Sequence, residues 1–514
     1  MAYPDPTQVA PWYLRNITQA LELDETTGNV FVRTNAQINV ANANITVGNV
    51  GITSIGNIPV SGNTLPVSGN VTVFQGTSPW VITGNTNVAI TSGNVGITGN
   101  IAGITGNVNI GTMPTVNATI TGGNVATTIG GTNLDAFGRL RVSNPFTLFD
   151  SQNRYIDGDQ FSNITATGGN VVYVANESSF NLNVSATSGS SVIRQSKTVQ
   201  AYQPGKSLLI MNTFAMATLK ANLTQRVGYF TADNGIYFEA VGTTLNLVIR
   251  SSVTGGIVEE RIPQASWNGN TLLSGTVLDP TLTQIFWCDV EWLGVGNVRT
   301  GFVINGEFIV CHTFQHANQP GNTTVYMTTA TLNPRYEITN TGATSGASTM
   351  KQICSTVISE GGFSPSTKIG YVTNNTVPTR VSSANTVTAL CSIRLNPAYP
   401  DAVVVPAQLD LLLIDVRYGQ FQLIENATFT ASFSNVAGSV VQTAIHSNVI
   451  TDGTVVYSGL TSSRDEVEIS EDIKRRLQLW RTAAGNTSTL TLAVAYTSAN
   501  ADLLWKLGWE ELTN

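Results

Sequence analysis

Residues 93–110 read GNVGITGNIAGITGNVNI, and this pattern of Gly-Asn followed by alternating β-branched residues recurs throughout residues 34–134. Val, Ile and Thr suit a pleated, half-buried strand, while Gly and Asn accept the positive φ of tight turns. The glycine of each Gly-Asn pair stands at Gly48, Gly56, Gly62, Gly69, Gly84, Gly93, Gly99, Gly106 and Gly123. The pattern predicts an array of strands, each about three to five residues long, joined by turns.

This array contains no Asp, Glu, Lys, Arg or His, and Phe74 and Trp80 are its only aromatic residues. One chain therefore offers too little apolar volume for a core of its own. Uncharged strand edges would also invite aggregation if they stayed exposed. We predict that identical chains wind around one axis as an intertwined, β-helix-like stem, and analogy with β-structured fibres sets their number at three. A flexible Gly/Asn/Thr linker is the alternative.

The composition of the whole chain favours an all-β protein, since charged residues are only 11% and Gly is abundant. The net charge is -7 and the longest basic run is Lys474-Arg475-Arg476, so we predict no nucleic-acid partner. No segment reaches about 18 apolar residues, and the N-terminus lacks a basic region with an apolar run. We therefore predict neither membrane insertion nor a secretory signal.

No two of the four cysteines form a CxxC motif, and each lies in a run of apolar or small residues. They could form two disulfides, but their spacing favours buried free thiols in a protein assembled in a reducing cytoplasm. These residues are Cys288, Cys311, Cys354 and Cys391.

Residues 1–33 differ from the array because they carry charge and large apolar side chains. Two alternating runs, residues 20–23 and 30–33, flank a turn-forming segment and predict a β-hairpin. We expect this segment to anchor the stem in a larger body, although a cap that seals the array is an alternative. The residues expected to make the anchor are Trp12, Tyr13, Leu14 and Phe31.

Charge and aromatic residues return together at Asp135, where a globular region begins. Short apolar or alternating runs separated by Gly, Pro and Asn predict a jelly-roll β-sandwich over residues 135–424. A smaller C-terminal β-domain is expected over residues 425–514, with a helical turn capped by Ser470 and an apolar end that packs. Its strands are expected at residues 427–433, 454–457, 476–480 and 489–496.

Residues 134–151 read LDAFGRLRVSNPFTLFDS, and shorter blocks read YQPGKS (202–207), WLGVG (292–296) and SEGG (359–362). These blocks resemble a family of virion structural proteins of tailed bacteriophages, including those of cyanobacterial myophages. The resemblance covers about residues 134–424. It implies a place in a virion assembled in the host cytoplasm, and it identifies no catalytic residues.

Two residue groups could bind metal, and each has an ordinary structural explanation. Asp150, Asp157 and Asp159 could hold Ca²⁺, but the EF-hand spacing is absent and an Asp-Gly turn accounts for them. His312 and His316 would share a face of a helix. They follow a strand-like run instead, where residues four apart stand about 13 Å from each other. We predict no metal and no cofactor.

Acidic residues and tryptophans lie near each other in sequence, which leaves three alternatives open. The carboxylates could cleave glycosides, the indole rings could bind a glycan without cleaving it, or the tryptophans could be core residues of a sandwich. No GxSxG motif or phosphate-binding loop is present, and we predict that the chain is not an enzyme. The acidic residues are Glu259, Glu260, Asp289 and Glu291, and the candidate glycan-binding residues are Trp267, Trp287 and Trp292.

Taken together, these features predict a homotrimeric phage fibre or spike. Its N-terminus would contact other virion proteins of the capsid, neck or tail, and its distal head would attach to host-surface glycan. One alternative is a capsid or neck decoration protein that cements its neighbours and binds no receptor. Another is a polysaccharide-cleaving enzyme carried on the fibre.

Overall fold

The computed structural model describes residues 21–24, 26, 29–32, 144–155, 158–414, 417–462 and 464–512. The predicted array at residues 34–134 lies outside the described residues, as do Trp12, Tyr13 and Leu14. The chain divides into two compact units, Met1–Asn124 and Val125–Asn514.

A short hairpin is the described part of the first unit. Strands β1 (Leu21–Asp24) and β2 (Asn29–Val32) pair antiparallel, with Leu21 opposite Val32 and Asp24 opposite Asn29. The predicted N-terminal hairpin is therefore confirmed. Phe31 lies within β2, where only the backbone is described.

The second unit begins with a two-sheet sandwich that spans residues 146–359. Its strands are β3 (Phe146–Ser151), β4 (Phe161–Ala166), β5 (Asn170–Val174), β6 (Ser179–Val184), β7 (Ser191–Ser196), β8 (Leu208–Ala215), β9 (Leu223–Phe230), β10 (Gly235–Val241), β11 (Thr244–Ser251), β12 (Val258–Pro263), β13 (Gln284–Val290), β14 (Val298–Ile304), β15 (Glu307–Phe314), β16 (Pro334–Asn340) and β17 (Ser348–Ser359). Single turns of 3₁₀ helix lie at Ala175–Glu177 and Gln264–Ser266.

The two sheets of this first sandwich are antiparallel and have a jelly-roll-like order. One is seven-stranded with the order β12-β11-β10-β9-β16-β7-β4, and the other is eight-stranded with the order β15-β14-β13-β8-β17-β6-β5 plus β3 paired to β17. Every pairing between these strands is antiparallel. The predicted all-β fold and its jelly-roll-like sandwich are confirmed.

Alternation along the strands builds the core of the first sandwich. In β8 the residues Leu208, Ile210 and Phe214 are buried in this core, whereas Leu209, Met211 and Thr213, which point to the other face, are half-buried. In β10 the residues Ile236 and Phe238 likewise face inward. Residues two apart on a strand share a face, so this period of two places one face of each sheet against the other.

A second sandwich follows over residues 368–511. Its strands are β18 (Lys368–Thr373), β19 (Thr379–Val381), β20 (Thr388–Leu395), β21 (Val404–Leu413), β22 (Gly419–Glu425), β23 (Ser434–Asn435), β24 (Val441–Ile445), β25 (Thr454–Thr461), β26 (Arg464–Glu468), β27 (Thr489–Tyr496) and β28 (Ala501–Glu511). One sheet has the order β18-β28-β21-β26 with β19 also on β28, and the other has the order β23-β24-β20-β27-β22-β25.

The boundary between the sandwiches differs from the predicted one at residues 424 and 425. The first core ends with Val357 and the second begins with Val372, and the two sandwiches share no sheet. The prediction missed this boundary because strands on both sides have the same period, with no shift in composition between them. Strand β22 lies inside the second sandwich, where it pairs with β25 and β27.

Two predicted strands of the second sandwich are absent, and one predicted helix is present. Residues 427–433 form no strand, and Ala427 instead packs in a small satellite core. Helix α1 (Glu471–Arg476) occupies the start of the region predicted as a strand over residues 476–480. Ser470 precedes α1 as expected, but its side chain makes no capping hydrogen bond. The predicted packing of the C-terminal end is confirmed, since Trp505 and Trp509 are fully buried.

Candidate functional site

The four sequence blocks that carry the resemblance meet at one end of the eight-stranded sheet. Strand β3 pairs with the end of β17, so that Phe146 lies opposite Ser359. The next residue, Glu360, accepts a hydrogen bond from Ser207 Oγ at 2.6 Å, and its backbone N–H donates to the Ser207 carbonyl. Blocks that are far apart in the chain are therefore joined directly by backbone and side-chain hydrogen bonds.

The fourth block, residues 292–296, contacts this junction through Tyr202. The Tyr202 hydroxyl accepts a hydrogen bond from the Leu293 backbone N–H at 3.1 Å, and its ring meets Trp292 edge-on at 5.8 Å. The Trp292 indole N–H donates to the Met327 carbonyl. The blocks therefore form the end of the first sandwich from which the chain leaves for the second.

A cation-π contact fixes the second sandwich at this point. The guanidinium of Arg475, in α1, lies 3.9 Å from the centre of the Phe146 ring and 4.1 Å from that of Phe363. The two rings are themselves stacked at 5.8 Å. Phe146 belongs to β3 and Phe363 to residues 360–367 between β17 and β18, here called the linker, so Arg475 holds the first sandwich, the linker and α1 together.

Residues 475–483, here called the strap, continue this contact along the first sandwich. In addition to the cation-π contact of Arg475, three other strap residues donate hydrogen bonds to the first sandwich. These are Gln478 Nε2 to the Val199 carbonyl (3.1 Å), the Arg481 N–H to the Lys197 carbonyl (3.1 Å) and the Ala483 N–H to Ser162 Oγ (2.9 Å). Two of the three donors are backbone N–H groups, which cannot change rotamer as side chains do. These hydrogen bonds therefore fix the position of the second sandwich relative to the first.

A cleft of about 550 Å³ lies between the two sandwiches beside the strap. Turns and strand ends of the first sandwich form one wall, including residues 231–234 and 328–331. The other wall comes from residues 397–402 and from strap residues 479–483. Neither sandwich alone would form this cleft.

Trp480 is the aromatic residue that lines the cleft. Its indole N–H donates to the Glu425 carboxylate, and Lys197 Nζ lies 4.4 Å from the ring centre. Lys197 also forms an ion pair with Asp159. The indole is therefore held in place by two neighbours.

Charged side chains line both walls of the cleft. Arg335 is bound by Glu337 and by Gln195, so its charge is already compensated. Asp233 and Asp401 lie on opposite walls. Within the described part of the chain, no hydrogen bond or ion pair engages either of these two carboxylates.

A ladder of arginine and glutamate side chains extends from this cleft across the outer face of the seven-stranded sheet. Arg226 bridges Glu239 at 2.8 Å and Glu337 at 3.1 Å. Burial alone would raise the pKa of Glu337, but the charges of Arg335 and Arg226 outweigh burial and lower it. The two arginines therefore keep Glu337 ionised although it is buried.

Glu259 ends the ladder at the sheet edge. Burial would raise the pKa of this carboxyl group, but hydrogen bonds from Tyr237 and Arg250, with the charges of Arg250 and Arg261, lower it to about 2. A carboxyl group in this state accepts protons poorly and is a weak candidate for a general acid.

The structure does not present the three predicted glycan-binding tryptophans on an open surface. Trp267 is 4% exposed and its indole N–H donates to the Ile262 carbonyl, inside the first core. Trp287 is 3% exposed and meets Phe308 edge-on. Trp292 is half-buried against the core. Trp267 and Trp292 pack in or against the first core, whereas Trp287 is buried outside that core beside Phe308.

The predicted acidic group is separated onto two sheets. Glu259 and Glu260 lie in β12 of the seven-stranded sheet, whereas Asp289 lies in β13 of the eight-stranded sheet and Glu291 directly follows that strand. Burial raises the pKa of Asp289, an effect that the Arg299 hydrogen bond opposes and the nearby charges of Glu360 and Glu291 reinforce. Sequence reasoning missed Glu360, which becomes a neighbour only when β17 ends beside β8.

The described residues considered for metal binding do not form a common site. His312 Nδ1 accepts a hydrogen bond from the Asn268 N–H, while His316 stacks on Tyr326. Asp159 pairs with Lys197, and Asp157 lies outside the described residues. Among the residues that the structure describes, no cluster of His, Cys, Asp and Glu is suited to a metal ion. All four cysteines are free, and no helix in the described ranges is long and apolar enough to cross a bilayer.

No protein-family model and no curated protein matches the chain. Solved structures with a similar fold include a β-1,3-glucanase of Mycobacterium marinum, which is 12% identical with a TM-score of 0.30 over 41% of this chain and 98% of its own. A Bacteroides ovatus GH16 protein of a mixed-linkage glucan locus is 11% identical, with a TM-score of 0.28 over 41% and 99% of the two chains. A pseudo β-1,3-glucanase of Mycobacterium tuberculosis is 11% identical, with a TM-score of 0.31 over 42% and 99%.

These matches contradict the prediction that the chain is not an enzyme, because the structures similar to it include glucanases. That prediction was drawn from missing motifs, and carboxylate-based glycoside cleavage does not need them. The likeness is one of fold and identifies no catalytic residue in this chain.

Proposed function

We propose that the protein is a structural component of a bacteriophage virion, a homotrimeric fibre or spike that attaches to host-surface carbohydrate through its two sandwiches. The observation that carries the proposal is the cleft between the sandwiches. Its walls are fixed by the strap, and polar side chains and one indole ring line it. Clefts with a few convergent polar groups are the usual sites of small ligands.

Two features of the sequence support the virion part of this proposal. The uncharged array at residues 34–134 suits a stem whose strand edges are covered by other copies of the chain. The blocks that resemble phage structural proteins meet where the first sandwich leads into the second, and Arg475 of the strap contacts one of them at Phe146.

The test is to compare virions with and without the protein. We expect antibodies to label projections on the particle, and we expect particles without the protein to adsorb poorly to host cells. If such particles adsorb normally but lose stability, the decoration alternative replaces the fibre proposal.

A second measurement asks whether the bound carbohydrate is also cleaved. The purified chain is incubated with host envelope polysaccharide, and new reducing ends are counted. Release of reducing ends would identify a fibre-borne enzyme, whereas binding without release would identify an attachment head.

A further inference from the structure

We propose that the cleft between the sandwiches binds an uncharged oligosaccharide, which Asp233 and Asp401 hold from opposite walls beside the Trp480 ring. The inference rests on the proposed carbohydrate attachment and narrows it to a site and a ligand class. It follows from the charges that line the cleft, from the rigidity of its walls and from its volume.

Most of the cationic charge in the cleft is already used by the protein. Lys197 pairs with Asp159 and lies over the Trp480 ring. Arg335 is bound by Glu337 and Gln195. Little positive charge therefore remains to attract an anionic ligand.

The remaining charged groups leave an acidic balance. Arg481 contributes one guanidinium, whose Nε donates to the Gly485 carbonyl at 3.2 Å. Against it stand the carboxylates of Asp233 and Asp401. An ionised carboxylate only accepts hydrogen bonds, so it suits the hydroxyl groups of a sugar and repels a uronate, sialate or phosphate.

The walls that carry the two carboxylates are fixed before any ligand arrives. Thr231 Oγ1 accepts a hydrogen bond from the Asp233 N–H at 3.2 Å, and the Thr231 N–H donates to the Asn234 carbonyl at 2.8 Å. The Asn234 amide is bound in turn to Thr328 at 2.7 Å. On the other wall, the Ala402 N–H donates to the Tyr399 carbonyl beside Asp401. Fixed groups lose little entropy on binding.

Size and polarity also suit a sugar. The cleft volume of about 550 Å³ lies within the range of roughly 300–1,000 Å³ that is usual for small-ligand sites. Threonine hydroxyls at Thr328, Thr329 and Thr331 line it. An apolar ligand would cover the Asp233 and Asp401 carboxylates without offering them hydrogen-bond donors, at a cost that a hydroxyl-rich ligand avoids. An indole ring adds the apolar surface on which a sugar ring packs.

The test uses the full chain and two probes of equal length, a neutral gluco-oligosaccharide and an oligogalacturonate. Isothermal titration should show binding of the neutral probe and little binding of the charged one. The D233A and D401A substitutions should each weaken binding of the neutral probe about ten- to hundredfold, because each removes charged hydrogen-bond acceptors. E307Q, which changes an exposed carboxylate away from the cleft, should leave the affinity unchanged.

Several outcomes would overturn the inference. They are tighter binding of the oligogalacturonate, absence of neutral-probe binding at millimolar concentration, or unchanged affinity in both aspartate variants. W480A removes the indole ring and should also weaken binding of the neutral probe. Because Trp480 also contacts Glu425 and Lys197 within the fold, the test of the inference rests on the two aspartate variants. If the full chain still binds host cells while both aspartate variants bind equally well, attachment stands and the cleft is not its site. If the full chain binds no cells, the proposed function fails first.

Discussion

Single charged side chains on the outer face of the seven-stranded sheet are held by two partners each. Glu239 is fully buried and bound by Arg226 and by Arg261. Removing one member of such a buried set leaves an uncompensated charge, which costs far more than the loss of a surface ion pair. The ladder should therefore be sensitive to single substitutions.

The E337Q substitution tests this sensitivity. It leaves Arg335 and Arg226 without a carboxylate that is only 8% exposed, so we expect the free energy of unfolding to fall by roughly 3 kcal/mol. Urea denaturation of the full chain measures it. The matched control is E307Q, an exposed carboxylate that should change stability by less than about 0.5 kcal/mol. Equal stability of the two variants would contradict the ladder's role.

The ladder also predicts a dependence of stability on pH. The pKa of Glu259 is lowered to about 2 from an ordinary value of 4.5, so its stabilising contribution is complete above pH 4.5 and is lost as pH falls toward 2. Glu337 acts in the same direction, while Asp289, whose pKa is raised, opposes it. Urea midpoints should fall across this range, and E259Q should flatten the fall. An unchanged pH profile in E259Q would refute this assignment.

At the scale of elements, alternation in the sequence was enough to find most strands. The runs around Leu208, Ile236 and Ile285 match β8, β10 and β13, because one face of each strand packs against the opposite sheet. Residues 427–433 also alternate with apolar residues but form no strand. Ala427 and Phe429 cover the outer face of a sheet there, and sequence alone does not distinguish covering a sheet from joining it.

The cleft could not be predicted from the sequence. Its walls come from two sandwiches whose boundary was placed at residue 424, inside the second of them. Trp480 was expected in a strand, and its role depends on where the strap crosses the first sandwich. The predicted tryptophans are of the residue type that binds sugars, but Trp267 and Trp287 are buried and Trp292 is half-buried against the first core.

The strap gives a prediction at this scale. R475A removes a guanidinium that lies over Phe146 and Phe363, contacts that together contribute about 1–2 kcal/mol. The linker amides of Glu360 and Ser364 should then exchange with solvent roughly tenfold faster. Hydrogen exchange measured by mass spectrometry checks this. The control is R476A, which changes the exposed neighbouring arginine and should leave exchange unchanged. Equal effects of the two substitutions would show that the Arg475 cation-π contact is unimportant.

At the scale of the whole molecule, the uncharged array leads us to expect three chains. V95K would place three like charges on one axis if Val95 faces inward, so we expect it to prevent assembly of the homotrimer. Light scattering on the purified protein measures the mass. A folded, stable monomer of the unaltered chain at micromolar concentration would contradict the trimer.

Deletion of residues 1–33 should separate assembly from anchoring. The shortened chain should still form trimers, because the array remains, but it should fail to join virions, because Trp12, Tyr13, Leu14 and Phe31 are gone. Particle composition after complementation checks this. Normal incorporation would favour the cap alternative for these residues.

The central claim is that the two sandwiches attach the virion to host carbohydrate, and competition for adsorption measures this most directly. Purified full-length protein is added to host cells before phage, and the fraction of adsorbed phage is counted for the unaltered chain and for D401A. In the proposed trimer three linked heads gain avidity, so the unaltered protein should block adsorption well below the concentration that its single-site affinity requires, and D401A should block much less. Undiminished adsorption at a saturating concentration of the unaltered trimer would contradict the account.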